Sequence, residues 1–208
     1  MNVLLSLLQK STDYNQLLKA VEAKQAVAVS GLSQAPRSHV LAAAHEQSGR
    51  PLIAVCQDDM AAKRLASELG AFLGEEPPVL PSRELTLAGA IGVSRQREQQ
   101  RLRLLYALAQ GRVPVLVASL DALLLRTLPR QTLFSASVTL RVGAEYSMPE
   151  LIERLTRAGY SRASLVEGVG QFALRGGILD VYSPAQEKPL RAEFFGDELD
   201  TMGYFDPI

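Results

Sequence analysis

Cysteine occurs once in this chain, at Cys56, and histidine only twice, at His39 and His45. A lone cysteine excludes an internal disulfide and any cysteine-rich zinc site, and it fits a reducing, cytoplasmic compartment. The two histidines stand six apart on a predicted helix, which is not ligand spacing, so they read as helix residues and no metal is expected. Net formal charge is zero, with 22 basic residues against 22 acidic ones, so no overall field draws the chain to nucleic acid or to a membrane surface. No apolar run approaches the roughly 20 residues of a membrane-spanning helix. The opening Met1 to Lys10 has a short apolar run without a basic leader or a small-residue cleavage site, and reads as an amphipathic helix rather than a secretory signal.

What is present is an ordinary globular composition over 208 residues, enough for one large domain or two small ones. The first part alternates apolar strands with helices. A helix over Tyr14–Ala23 leads to a buried-strand pattern at Gln25–Ser30, a loop Gly31–Ser38 and a helix from His39 to Gln47. Pro51–Cys56 is a strand, Asp58 caps a helix ending at Gly70, and Pro78–Pro81 is a short strand. Ser94 opens a long helix to Gln110, Pro114–Ala118 is another buried strand, and Ser119 caps a helix over Leu120–Leu128. Such alternation implies a mostly parallel sheet covered on both faces.

Strand, glycine-bearing loop, helix is the layout of a phosphate-binding loop. That chemistry needs a second glycine, a lysine for the outer phosphates and a hydroxyl for magnesium. Here Gly31 is present, but Pro36-Arg37 stands where the glycine–lysine pair belongs, and proline has no N–H to give a phosphate. The loop reads as a decayed site, with Arg37 and Ser38 as the only candidates to imitate the missing pair. No cofactor is expected.

Arg95, Arg97, Arg101 and Arg103 on the Ser94 helix raise a second reading, contact with nucleic-acid phosphates. Leu102, Leu105, Tyr106 and Ala109 supply a buried stripe, so the arginines read as the solvated face. There is no aromatic platform for single strands and no helix-turn-helix signal.

Composition changes near Pro129-Arg130, which divides the chain into residues 1–130 and 131–208. In the second part Ser137–Val142 alternates as a half-buried strand, and Ser147 with Glu150 forms a capping box before a helix that stops at Gly159. Strand patterns follow at Ala163–Glu167, Gln171–Leu174, Gly177–Tyr182 and Leu190–Phe195, with a fifth at Met202–Phe205. This is a small antiparallel sheet backed by one helix, hence an α+β domain. No catalytic histidine exists in this part, and Asp197, Glu198 and Asp200 read as solvated charge at a turn rather than as a metal site.

The strand Leu190–Phe195 carries the sharpest signal. Leu190, Ala192 and Phe194 point one way, while Arg191, Glu193 and Phe195 point the other. A face that shows water a cation, a carboxylate and a whole aromatic ring reads as a protein-docking surface. The alternative is that Phe195 packs under a neighbouring loop and the charges are merely solvated.

Two stretches, Leu174-Arg175-Gly176-Gly177-Ile178-Leu179-Asp180-Val181-Tyr182 and Arg191-Ala192-Glu193-Phe194-Phe195-Gly196-Asp197-Glu198-Leu199-Asp200 with Phe205-Asp206-Pro207, resemble the N-terminal module of the bacterial transcription-repair coupling factor (Mfd) family, which the repair protein UvrB shares. Val29–Ser33, Leu80-Pro81 and Arg157–Arg162 are similar as well. UvrB itself is disfavoured by the missing phosphate loop and by the short, tyrosine-free interval Pro81–Ser94. A UvrB-like nucleotide-dependent repair helicase fragment is the alternative.

The resemblance implies a degenerate RecA-like parallel-sheet domain without a working phosphate loop, carrying a small α+β domain that binds UvrA. The UvrA-contacting residues it implies are Arg175, Arg191 and Phe195. It implies no catalysis by this chain. In the family the pattern runs on to segments that engage RNA polymerase and translocate on DNA with ATP, so this chain, stopping at Ile208, is expected to be truncated relative to its relatives.

Overall fold

The computed structural model describes residues 3–82 and 95–206 and divides into two compact units, one of residues 1–98 and 110–126, the other of residues 99–109 and 127–208. The Pro81–Ser94 interval and the expected helix opening at Ser94 lie outside the described residues, apart from Pro81 and Ser82.

The first unit opens with α1 (Val3–Leu7), a 3-10 turn at Leu8–Lys10, and α2 (Thr12–Glu22). It continues through α3 (Gln34–Ser48), β1 (Leu52–Cys56), α4 (Asp59–Leu73), β2 (Val79–Leu80), β3 (Val115–Ser119) and α6 (Leu120–Leu124). Between β2 and β3 lies α5 (Arg95–Ala109), whose residues from Gln99 on belong to the second unit. The strands form a parallel sheet in the order β1-β3-β2, with β3 buried along its whole length. Ala42, Ala43, Ala62 and Ala66, all fully buried, let α3 and α4 lie close over Ala54, Val115 and Val117.

Four expectations need correction in this unit. Gln25–Ser30 is no buried strand: it is exposed throughout and pairs with no strand among the described residues, so its apolar pattern finds no sheet edge to join. The helix placed at His39 begins at Gln34, because proline at its third position is tolerated in a first turn whose N–H groups have no intrahelical partner. The next helix runs past Gly70 to Leu73 and stops at left-handed Gly74. Gly70 is there for another reason: a Cβ at that position would stand 2.9 Å from the Cα of Glu76. Lastly, α6 ends at Leu124, short of Leu128.

The second unit contains α7 (Arg130–Ser135), which the sequence patterns did not indicate, and α8 (Met148–Arg157). A five-stranded sheet follows, in simple chain order: β4 (Ser161–Arg162), β5 (Gln171–Arg175), β6 (Ile178–Val181), β7 (Leu190–Phe195) and β8 (Glu198–Tyr204). The expected antiparallel arrangement holds from β5 to β8, but β4 pairs parallel to β5, so the sheet is mixed. Leu151 and Leu155 of α8 pack on Phe172, Leu179, Ala192 and Leu199, which form the covered face.

The strand expected at Ala163–Glu167 is instead the two-residue β4 just before it. Ser137–Val142 makes no strand either, although Val138 and Leu140 still turn inward onto the core. Ser147 sits at the start of α8, yet its hydroxyl makes no cap hydrogen bond, so the expected capping box is incomplete. Residues 143–146 line the free edge of β8, with Gly143 N–H donating to Leu199 O and Tyr146 N–H to Asp197 O. Covering an edge in this way removes a template for unwanted strand pairing.

Candidate partner-docking face

Turning away from α8, the second face of the sheet collects Arg175 of β5, Ile178 and Asp180 of β6, Arg191, Glu193 and Phe195 of β7, and Thr201 of β8. Strand alternation dictates the set on β5, β6 and β7, while Thr201 reaches this face through the register shift after Leu199, which faces the core. Where β5 turns into β6, Gly177 is required: a Cβ there would lie 2.6 Å from the carbonyl oxygen of Phe194, whose own N–H donates to Gly177 O at 2.8 Å. That close approach stands beside the register shift at Glu193/Phe194, and it leaves Phe195 pairing with Glu198 at the base of the last hairpin.

Phe195 is 86% exposed, so the reading in which its ring hides under a loop is excluded for the described residues. The two arginines are not free in the same sense. Asp180, only 1% exposed, stands directly across from Arg191 in the sheet register. Arg191 donates from Nε to Oδ1 of Asp180 at 2.7 Å and from Nη2 to Oδ2 at 2.9 Å, a bidentate pair. Arg175 donates from Nη2 to the same Oδ2 at 3.0 Å. The arginine side chains remain 37% and 52% exposed for Arg191 and Arg175 respectively. One buried carboxylate thus holds two cations at the surface, and the exposed Glu193 on the same face balances the second of them.

Further contacts fix Arg191. Opposite it on β8 stands Gly203, which has no side chain to compete for the space. Phe205, held by an N–H···O bond of 3.0 Å to Pro189, lays its ring under the guanidinium at 4.8 Å from the centroid. Hydrogen bonding and charge from Asp180 push the Arg191 guanidinium further above its usual range, with Glu193 adding to the effect. Glu193 itself accepts from the Thr201 hydroxyl at 3.3 Å. The direct orienting carboxylate is therefore Asp180, which sequence reasoning passed over. Its signal was an acid in the middle of the apolar strand Ile178-Leu179-Asp180-Val181.

The Gly31–Ser38 loop and the α5 arginines are built differently. The Ser38 hydroxyl is buried and donates to Ala35 O at 2.9 Å, within the first turns of α3, while Arg37 reaches back to Leu32 O at 3.4 Å. The arginines of α5 are not simply a solvated face. Arg101 is 8% exposed, and Arg103 donates to the carbonyl oxygens of Pro184 and Gln186 at 3.3 and 2.6 Å, with Glu187 at 3.4 Å. Arg103 is structural because the loop between β6 and β7 offers carbonyl oxygens that need donors. Arg97 is exposed, while the side chain of Arg95 lies outside the described residues. Among the described residues no helix is long and apolar enough to cross a membrane.

Comparison with known proteins places this face within a named region. Residues 138–208 match the model of the UvrB interaction domain family. The chain is 38% identical over 93% of its length to the transcription-repair-coupling factor of Myxococcus xanthus. It is 30% identical over 98% of its length to that of Staphylococcus aureus strain USA300, and 27% identical over 96% to that of Bacillus subtilis strain 168. In each case it spans 17% of the relative's length.

Proposed function

This chain belongs to the UvrB-homology region of the transcription-repair-coupling factors, and from that premise we propose that it is a non-catalytic recruitment module that docks UvrA and so brings nucleotide excision repair to stalled RNA polymerase. Arg175, Arg191 and Phe195 form the contact. The reading is carried by one observation: a whole aromatic ring, 86% exposed, stands on the same sheet face as two arginines that are already oriented. An aromatic anchor beside arginine is the composition in which interface binding energy concentrates. The name of the matched domain refers to the same machinery.

In this reading the first unit is a RecA-like relic that has lost its phosphate loop, and ATP-driven translocation on DNA and polymerase contact reside in parts of the longer protein outside these residues. The module works in the cytoplasm. Titration of the chain with purified UvrA tests the proposal. Arg191→Ala and Phe195→Ala should each weaken binding by about 30-fold, the equivalent of about 2 kcal/mol. Wild-type affinity in both variants, with the fold intact by circular dichroism, would refute it.

A further inference from the structure

We infer that Asp180 is the positioning residue of this face: its buried carboxylate fixes the geometry in which Arg191, and with it Arg175, meets the partner. The inference rests on the docking reading above and names what that reading leaves unassigned. An arginine on an open sheet surface samples many rotamers, and ordering it on binding costs affinity. Here that ordering is done in advance. Asp180 takes the Nε and one Nη2 hydrogen of Arg191, the side-on edge of the fork, at 2.7 and 2.9 Å. The Phe205 ring stacks against the plane at 4.8 Å, and the side chain opposite is the absent one of Gly203.

A guanidinium has five N–H donors, and two are now committed. The donors left are both hydrogens of Nη1 and the second of Nη2; the latter and one of the Nη1 pair form the end-on edge. That edge accepts a carboxylate in a second bidentate pair. The partner surface that fits is therefore an acidic side chain received end-on by Arg191, next to an apolar recess for Phe195. Asp180 does not touch the partner; it sets the angle at which the fork is offered. A lysine at position 191 would keep the charge and lose the fork.

A double-mutant cycle tests this, with UvrA affinity measured for the wild-type chain, Asp180→Asn, Arg191→Ala and the double variant. Asp180→Asn should weaken binding about tenfold in the wild-type background and change it by less than about twofold once Arg191 is gone. An equal loss in both backgrounds would mean a general structural role and would overturn the inference, as would wild-type affinity in Asp180→Asn. If Arg191→Ala alone binds UvrA normally, this inference is overturned; if Phe195→Ala does so as well, the docking reading fails with it. If Asp180→Asn does not fold, Arg191→Lys decides. Binding as weak as that of Arg191→Ala supports a requirement for fork geometry, and near wild-type binding shows that charge suffices and overturns it.

Discussion

Each unit holds a carboxylate whose oxygens are both occupied, and the two are satisfied in opposite ways. In the first unit Asp59 accepts from the hydroxyls of Ser119 and Ser82, both at 2.5 Å, at the carboxyl ends of β3 and β2. In the second, Asp180 accepts from two guanidinium groups. Neutral donors on neighbouring strand ends tie the sheet to the start of α4 and show nothing outward. Charged donors on long stems satisfy the acid from outside and keep their remaining N–H groups in solvent. The same carboxylate chemistry is a fastening in one unit and a display in the other.

The comparison breaks most visibly at the fastening. Asp59→Ala removes the acceptor of two charge-assisted hydrogen bonds and leaves the fully buried Ser119 hydroxyl without it. A stability loss of about 3 kcal/mol is expected in urea unfolding, with UvrA affinity unchanged in the folded fraction. Next in size is Phe195→Ala, in which the display is truncated. It should cost about 2 kcal/mol of binding and less than about 0.5 kcal/mol of stability, because a ring 86% exposed contributes little to the fold.

Acid sharpens the difference. Burial by itself pushes the Asp59 carboxyl up, but the Ser119 and Ser82 hydroxyls, with Lys63 and Arg97 nearby, together hold it below the ordinary carboxylate range. A depressed carboxyl contributes stability that is complete above its unfolded value of about 4 and is lost as pH falls through the lower folded value. Ser119→Ala should shrink that loss, so the stability difference between wild type and variant narrows as unfolding is followed from pH 5 down to pH 2. Smallest are the helix starts. Asp58 accepts from Ala61 N–H at 2.7 Å and its replacement by alanine should cost about 1 kcal/mol, whereas Ser147→Ala, at a start without a side-chain cap, should cost less than about 0.5 kcal/mol.

How much of this was legible depends on whether a residue's neighbours lie near it in the chain. The alternation of Leu190–Phe195 was readable because a strand's two faces are dictated by its own sequence, and Ala192 buried beside exposed Phe195 matches that reading. Asp180 was not readable as an organiser, since its meaning depends on Arg191 being directly opposite, a fact of register. Gln25–Ser30 shows the reverse error. Its pattern suits a strand, but a strand needs a neighbour, and no pattern within six residues supplies one. Arg101 and Arg103 were misjudged for a related reason: the carbonyl oxygens that hold Arg103 belong to a loop some 80 residues further on.

That clamp on the loop between β6 and β7 constrains how the molecule can be made. Arg103 meets Glu187 across a sequence separation of 84, and β3 of the other unit is synthesised in between. Closing so long a loop early is entropically costly, which slows folding. On a ribosome the five-stranded sheet would therefore have to wait, its first helix already emerged, until nearly the last of these residues had cleared the exit tunnel. A fragment begun at residue 131 would lack that helix altogether and should fold with a loose loop between β6 and β7.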